Sequence, residues 1–270
     1  MARILAVANQ KGGVGKTTVS VNLAAAFAIQ GHRVLLVDTD AQANASAAFG
    51  LEADPDTTLG ELLEADGDLN SLVKAPDGEA PTLRVLPSFP SLAGDEIHAV
   101  REDINPKVVA DRLRNGATAA GFEWVIIDCP PSLSFWTIVS LAASDAVLIP
   151  ADPGQFAVIG LRQLMSTVES VRLRINPGLR ILGVVGSRID ARTKLSREFV
   201  SIIQHHMPRQ GMVFESVIPE AVALREAQIQ GQSIFRYDER STAAVALVEV
   251  ALEVKRRWTT AAGAVVAQAQ

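Results

Sequence analysis

The chain has 270 residues, of which 48% are hydrophobic and 20% charged, with a formal net charge of −5 and a single cysteine. These values are typical of a soluble globular protein, and they exclude an intrachain disulfide, a membrane-spanning apolar run and a protein that coats DNA with its whole surface. We therefore expect one large α/β domain over residues 1–258, a frayed tail over residues 259–270, and a reducing cytoplasm as the setting.

Seven apolar runs of strand length alternate with longer helical patterns. Their Val, Ile, Leu and Ala content is typical of strands covered on both faces, which predicts a doubly wound, mostly parallel sheet flanked by helices. The predicted strands are 3–8, 33–37, 83–86, 123–128, 145–150, 180–186 and 212–218. The predicted helices are 16–30, 106–116, 134–143, 157–175, 194–206, 220–228 and 240–258. Between residues 54 and 94, abundant Asp, Gly, Pro and Ser predict loops and short helices rather than core.

A glycine-rich loop joins the first predicted strand to the first predicted helix, where residues 10–18 read QKGGVGKTT. Backbone N–H groups at such a helix N-terminus bind phosphate. In P-loop proteins the lysine of the Gly-Lys-Thr triplet reaches the terminal phosphates, and the hydroxyl of the residue after it binds Mg²⁺. In this chain these residues are Lys16 and Thr17. The standard motif has a glycine where this chain has Gln10, and the chain adds a second lysine, Lys11. The loop predicts a P-loop ATPase of a variant type, with ATP and Mg²⁺ as cofactors.

Two acidic segments follow predicted strands, at the edge of an α/β sheet where ligands bind. Residues 34–44 read VLLVDTDAQAN, and residues 125–132 read VIIDCPPS. The second places Asp128 where an acid acts on magnesium through water. A carboxylate after a strand also serves as a helix cap, so the prediction depends on the order of all three elements.

These motifs, together with residues 156–161 (FAVIGL), 190–195 (DARTKL) and 217–219 (VIP), resemble the ParA/MinD family of deviant Walker-type ATPases. Within it they are similar to the ParA branch, which partitions plasmids and chromosomes. The resemblance implies that Lys11 reaches across a nucleotide-sandwich homodimer to the phosphates of the other subunit. It also implies that Asp40 positions the attacking water and that Pro219 contacts adenine through its backbone.

The resemblance and the loop pattern together assign residues to three roles. The catalytic residues are Lys11, Lys16 and Asp40. The nucleotide-binding residues are Lys11, Gly12, Gly13, Val14, Gly15, Lys16, Thr17, Thr18 and Pro219. The metal residues are Thr17, Asp128 through water and Asp38 through water.

Binding of nonspecific double-stranded DNA by the ATP dimer is also implied by the resemblance. Arg192 stands where a DNA-contacting arginine of the family sits, with Arg188, Lys194 and Arg197 close by. Two further positions that are arginine in chromosomal relatives are Glu220 and Ala223 here, and Arg225 is the candidate substitute. The alternative is that these basic residues form an ordinary solvated face.

The resemblance further implies a ParB-like centromere-binding partner that stimulates slow hydrolysis, and association with the nucleoid in the ATP state. The chain starts almost directly with the first strand, so we expect the short form of the family, without an N-terminal helix-turn-helix. Acidic residues within 246–258 argue against membrane binding by the last helix. Two alternatives stay open: a module that positions a protein cargo on nucleoid or membrane, and a metabolic or scaffold ATPase.

Overall fold

A parallel sheet of seven strands forms the centre of the computed structural model, which describes residues 1–51, 59–64, 69–154, 157–190, 192–206 and 211–268. The strand order is β3-β2-β4-β1-β5-β6-β7. The strands are β1 (Arg3–Val7), β2 (Val34–Asp38), β3 (Leu83–Leu86), β4 (Trp124–Asp128), β5 (Ala146–Ala151), β6 (Arg180–Ile189) and β7 (Val213–Pro219). All seven predicted strands and the predicted doubly wound fold are confirmed, and only β6 differs by more than two residues at one end.

Helices cover both faces of the sheet. Those of at least eight residues are α1 (Lys16–Ile29), α4 (Leu92–Arg101), α5 (Pro106–Ala119), α6 (Phe135–Ala143), α7 (Ala157–Arg174), α8 (Lys194–His206), α9 (Val222–Ile229) and α11 (Thr242–Gln268). The shorter ones are α2 (Asn44–Ala47), α3 (Leu69–Leu72), α10 (Ile234–Asp238) and a 3₁₀ turn (Leu59–Leu63). The seven predicted helices are present, whereas α4 and α10 were not predicted.

Successive side chains of each strand enter different cores, because side chains alternate between the faces of a sheet. In β1, Ile4 and Ala6 belong to the core beneath α4–α8, while Leu5 and Val7 belong to the core beneath α1 and α11. Burial on both faces is the reason for the continuous apolar runs in the sequence.

An aromatic residue of the last helix, Trp258, packs against the sheet. Trp258 lies edge-on to Trp124 of β4 with ring centroids 4.9 Å apart, and Phe27 of α1 stacks on the same indole at 4.5 Å. The helix is assigned through Gln268, so it includes most of the stretch for which fraying was predicted. The single-domain division and the frayed tail stay predictions. In the described part of the chain, no helix combines the length and apolarity needed to span a bilayer.

The segment before β3 departs from its prediction. Loops and short helices rather than core were expected there, and short helices are present. Five leucines, however, are buried against the α5 side of the sheet: Leu59, Leu62, Leu63, Leu69 and Leu72. Arg112 of α5 donates hydrogen bonds to the backbone carbonyls of Leu62 and Leu63 at 2.9 and 2.6 Å. Only the expectation that this segment lacks core residues was wrong, because the segment is polar on average and yet contains a few leucines that a neighbouring helix covers.

Candidate nucleotide-binding site

The glycine-rich loop connects β1 directly to α1. Gly13 and Gly15 adopt φ values of 74° and 86°, a left-handed conformation that glycine enters without steric cost. A Cβ atom on Gly15 would also lie 2.7 Å from the Ser187 hydroxyl oxygen, so only glycine fits the observed approach. Gly15 is the N-cap of α1, and the first N–H groups of this helix therefore face the loop. The arrangement is suited to hold an anion.

A cavity of about 470 Å³ opens beside the loop, and we call it the loop pocket. Its walls come from both ends of the sequence and from the carboxyl ends of the strands. The lining residues are Gly12, Gly13, Gly15, Lys16, Thr17, Thr18, Val19, Asp40, Asn44, Pro131, Ser187, Arg188, Ile218, Pro219, Glu220, Ala221, Leu224, Arg225 and Gln228. The structure thus brings together most of the predicted nucleotide-binding residues, including Pro219, which follows them by some 200 positions.

Lys16 carries a nearly buried cation into the loop pocket. Only 7% of the residue is exposed, and its Nζ donates a hydrogen bond to the carbonyl oxygen of Lys11 at 3.2 Å. Burial lowers the pKa of Lys16, an effect that the negative charges of Asp128 and Asp40 oppose. A cation that has lost most of its water interacts strongly with an anionic ligand.

Asp128, at the end of β4, binds the first turn of α1. Its Oδ2 accepts a hydrogen bond from the Thr17 hydroxyl and its Oδ1 one from the Ser20 hydroxyl, both at 2.8 Å. A hydroxyl and a carboxylate side by side are hard oxygen donors of the kind that Mg²⁺ prefers. The residues present therefore fit the divalent cation that the sequence predicts.

Asp38 lies beside Asp128 because β2 and β4 pair with these two residues in register. Its Oδ2 accepts hydrogen bonds from the backbone N–H and the hydroxyl of Ser46, both at 2.8 Å, and its Oδ1 accepts one from the N–H of Asp40 at 3.2 Å. Both carboxylate oxygens of Asp38 thus hold the backbone after β2. Burial raises the pKa to about 6 for Asp38 and about 7 for Asp128, with a smaller contribution from the charge of Asp40 on Asp38 and from that of Asp38 on Asp128.

Asp40 occupies a different position from Asp38 although only one residue separates them. It is half-buried and lines the loop pocket, and its Oδ1 accepts a hydrogen bond from the N–H of Gln42 at 3.0 Å. Of the two aspartates, Asp40 is therefore the one that reaches a ligand in the pocket, in keeping with the preference drawn from the sequence.

Lys11 is held within its own chain by an ion pair. Its Nζ lies 2.7 and 2.9 Å from the two carboxylate oxygens of Asp152, which follows β5. Asn9 supports this arrangement, since it accepts a hydrogen bond from the Lys11 N–H at 3.0 Å and donates one to the Pro150 carbonyl at 2.7 Å. Sequence analysis did not predict Asp152, because nothing local links it to a lysine 141 residues earlier.

The end of β6 supplies two contacts to the loop that the sequence did not suggest. The Ser187 hydroxyl donates a hydrogen bond to the Val14 carbonyl at 2.7 Å, and Arg188 Nη1 donates one to the Gly13 carbonyl at 2.9 Å. Arg188 also pairs with Glu220, at 3.2 Å. The sequence shows that Arg188 is basic, but it does not show that Arg188 contacts Gly13 and Glu220.

The four residues predicted to contact DNA fall into two places. Arg192, Lys194 and Arg197 lie together around the start of α8, where the Nη1 atom of Arg197 donates to the Arg192 carbonyl at 3.3 Å. The guanidinium of Arg192 pairs with Asp190 at 2.8 Å and holds the pKa of that carboxyl at about 2, and Lys194 lies 3.6 Å from Glu198. Arg225 instead lines the loop pocket. Phe156 and Ala191, in two of the family motifs, lie outside the described residues.

Comparison with known proteins gives matches over nearly the whole chain. A family model described as an AAA domain matches residues 2–181. The sporulation initiation inhibitor protein Soj of Bacillus subtilis is 42% identical over 255 residues, which cover 94% of this chain and 98% of Soj. The chromosome partitioning protein ParA of Caulobacter vibrioides is 38% identical over 257 residues, 94% of either chain.

Two solved structures with a similar fold contain a nucleotide and magnesium. Cobyrinic acid a,c-diamide synthase from Mycobacterium smegmatis, with a bound ATP analogue and magnesium, has a TM-score of 0.79 and 32% identity over 97% of both chains. The septum site-determining protein MinD from Pyrococcus horikoshii, complexed with Mg-ADP, has a TM-score of 0.76 and 25% identity, covering 94% of this chain and 96% of its own.

The buried carboxyl pair makes a prediction about stability without ligands. Both folded pKa values are raised above the unfolded value near 4, so their stabilising contribution is present at low pH and is lost as pH rises toward about 6 to 7. In EDTA and without nucleotide, the free energy of unfolding of the wild type in urea should fall by several kcal/mol between about pH 4 and about pH 7 because of this pair, since one pKa unit corresponds to about 1.4 kcal/mol. Asp38→Asn should flatten that dependence.

The matched control is Asp111→Asn, which changes an exposed carboxylate paired with Lys107 on α5. It should leave the pH dependence of unfolding as in the wild type. If Asp38→Asn and the wild type lose the same stability over this pH range, the carboxyl pair is not the source of the dependence.

Proposed function

Because this chain belongs to the ParA/MinD family of ATPases, we propose that it is a ParA-type DNA partition ATPase. In this proposal it binds Mg-ATP in the loop pocket, forms an ATP-sandwich homodimer and holds nonspecific double-stranded DNA in that state. Slow hydrolysis, stimulated by a ParB-like centromere-binding partner, resets it. The carrying observation is the joint placement of Lys16, Thr17 and Asp40 around one cavity, with Asp128 hydrogen-bonded to Thr17, in a chain similar to proteins named for chromosome partitioning.

The phosphates are held by the loop and by Lys16. Backbone N–H groups of the loop and of the first turn of α1 bind phosphate oxygens, and the Lys16 ammonium neutralises their charge. Thr17, with Asp128 acting through water, would hold Mg²⁺, which would supply positive charge beside the phosphates. Pro219, on the opposite wall of the pocket, contacts the adenine side.

Asp40 orients the attacking water. Its carboxylate lies in the pocket and accepts a hydrogen bond from water, which points a water lone pair toward the terminal phosphorus. Asp38 keeps Asp40 in place, because it accepts the hydrogen bond of the Asp40 N–H at 3.2 Å. Asp38 thus acts on the reaction through its neighbour, and its role near the metal is by way of water.

Dimerisation supplies the second lysine. For Lys11 to reach the phosphates of another subunit, its ion pair with Asp152 has to open, since both carboxylate oxygens now contact the ammonium. In the dimer each Lys11 would face the phosphates of one nucleotide, which carry more negative charge than the single Asp152 carboxylate. The ATP state therefore favours the dimer, and hydrolysis removes that advantage.

DNA is held by the basic residues at the start of α8, with Arg225 as a further contact from the pocket rim. The net charge of −5 requires that the binding be local, and a dimer presents each basic group twice. Asp190 and Glu198 compete with DNA phosphates for Arg192 and Lys194, which makes the affinity modest and sensitive to salt. This activity places the protein in the cytoplasm, on the nucleoid when ATP is bound.

Lys16→Ala should abolish tight ATP binding. Removing a nearly buried cation from an anion site costs about 2–5 kcal/mol, roughly a 30-fold to several-thousand-fold rise in Kd. Isothermal titration with Mg-ATP measures the change, and Lys107→Ala, which removes an exposed lysine of α5, is the control. Unchanged ATP affinity in Lys16→Ala would show that the loop is not the phosphate site.

Asp40→Ala should retain ATP and accumulate as a dimer with little turnover. Loss of a water-positioning carboxylate lowers hydrolysis by about 100-fold or more, while the phosphate contacts stay intact. Phosphate release and light scattering in the presence of Mg-ATP measure the two effects, with Asp111→Ala as the control. Near-normal hydrolysis by Asp40→Ala would reject Asp40 in this role.

DNA affinity should rise with ATP, relative to ADP or no nucleotide, and should fall steeply with salt. In a fluorescence anisotropy series on a random duplex, removing Arg192 and Arg197 together should reduce the log–log salt slope by about 1 per lost phosphate contact. Arg172→Ala, an exposed arginine of α7, is the control. If ATP produces no salt-sensitive increase in DNA binding, the partition proposal is wrong.

A further inference from the structure

Strand β6 contains one extra residue where it ends beside the loop pocket. Gly186 pairs with Val217 and Ile189 with Pro219, so three steps along β6 (186 to 189) match two along β7 (217 to 219). Such a bulge redirects side chains next to a site. Within it, Arg188 has φ of 56°, a left-handed conformation that an L-residue keeps only where its surroundings require it.

The bulge directs two successive side chains onto two successive carbonyls of the phosphate loop. Ser187 donates to Val14 at 2.7 Å and Arg188 donates to Gly13 at 2.9 Å. With these carbonyl oxygens held on the outer side by donors, the N–H groups of the loop are left to face the pocket. The contacts join the first and sixth strands of the chain, and they depend on the backbone of the loop rather than on its side chains.

The same guanidinium reaches a second segment of the pocket wall. Arg188 Nη2 lies 3.2 Å from Glu220 Oε1, in the connection between β7 and α9 that follows Pro219. The planar fork of an arginine can donate to two acceptors at once, which a lysine ammonium on a flexible stem does less well. Gly13, Arg188 and Glu220 all line the cavity. One side chain therefore ties the phosphate end of the pocket to the end that carries Pro219.

We propose that Arg188 is a positioning residue: its bridge from Gly13 to Glu220 straps the loop pocket and sets how fast nucleotide leaves. The inference rests on the proposed nucleotide binding and adds to it a residue that controls exchange. A nucleotide lying between the loop and the β7–α9 connection leaves when these walls separate, and the bridge resists that separation. ADP release, which precedes each new ATP-bound state, is then limited by opening of the Arg188 bridge.

The test is stopped-flow dissociation of a fluorescent ADP analogue, mant-ADP, from the full chain with Mg²⁺. Arg188→Ala removes both the hydrogen bond to Gly13 and the ion pair, and should raise the dissociation rate about 5- to 30-fold. Glu220→Ala removes only the exposed ion pair, and should raise the rate about two- to fivefold. Association rates should change less than dissociation rates, because the strap acts on the closed complex.

A double variant tests whether Arg188 and Glu220 act together as one bridge or affect nucleotide release independently. The double variant should release mant-ADP no faster than Arg188→Ala alone, because Glu220 has no partner once the guanidinium is gone. Arg188→Lys should fall between wild type and Arg188→Ala. The control is Arg172→Ala, since Arg172 pairs with Glu169 at 3.1 Å with similar exposure, on α7.

Thermal unfolding of each variant shows whether faster mant-ADP release is accompanied by a loss of folding stability. Glu220→Ala changes a half-exposed side chain and should unfold as the wild type does while still releasing mant-ADP faster, which a merely structural role would not produce. Unchanged release in both single variants, or additive effects in the double variant, would overturn the strap. Failure of the wild type itself to bind mant-ADP would overturn the proposed function, and the strap with it.

Discussion

The hydrogen bonds that Asp128 accepts from Thr17 and Ser20 are the contact on which the rest of the site depends. The two hydroxyls lie three residues apart on α1 and therefore share one face of the helix, so a single carboxylate fixes the direction of its first turn. That direction decides where the loop N–H groups and Lys16 point. Because Asp128 ends β4, which lies between β1 and β2, the sheet itself aligns the loop with the acidic segment after β2.

The site concentrates charge where water is scarce. Lys16, Asp38 and Asp128 are all nearly or fully buried, and burial lowers the pKa of the lysine and raises the pKa values of the aspartates. Each shift means that the charged form is less well stabilised than in water. A phosphate anion with a divalent cation would supply the missing partners, so ligand binding and folding stability are linked in this protein.

The pocket takes its walls from both halves of the sheet. β1 lies at the centre, β2 and β4 on one side and β5, β6 and β7 on the other, so that connections leave the carboxyl ends in both directions from the loop. Ligands bind at such a reversal of strand order in open α/β sheets. Here the arrangement also lets distant residues act on the loop: Asp152 holds Lys11, while Ser187 and Arg188 hold the backbone that carries it.

The sequence alone predicted the strands and the phosphate-binding loop. Continuous apolar runs identified all seven strands, and the spacing of glycines, Lys16 and Thr17 identified the loop, because backbone geometry and the needs of a phosphate act over a few neighbouring residues. The tertiary structure decided the burial of the leucines at 59–72, the Lys11–Asp152 pair and the Arg188 bridge. The two ion pairs depend on strand order and on one extra residue in β6. The physical reason is that an ion pair or a packed leucine requires two groups to be close in space. The order of the strands in the sheet determines that distance, whereas the sequence gives only the separation along the chain.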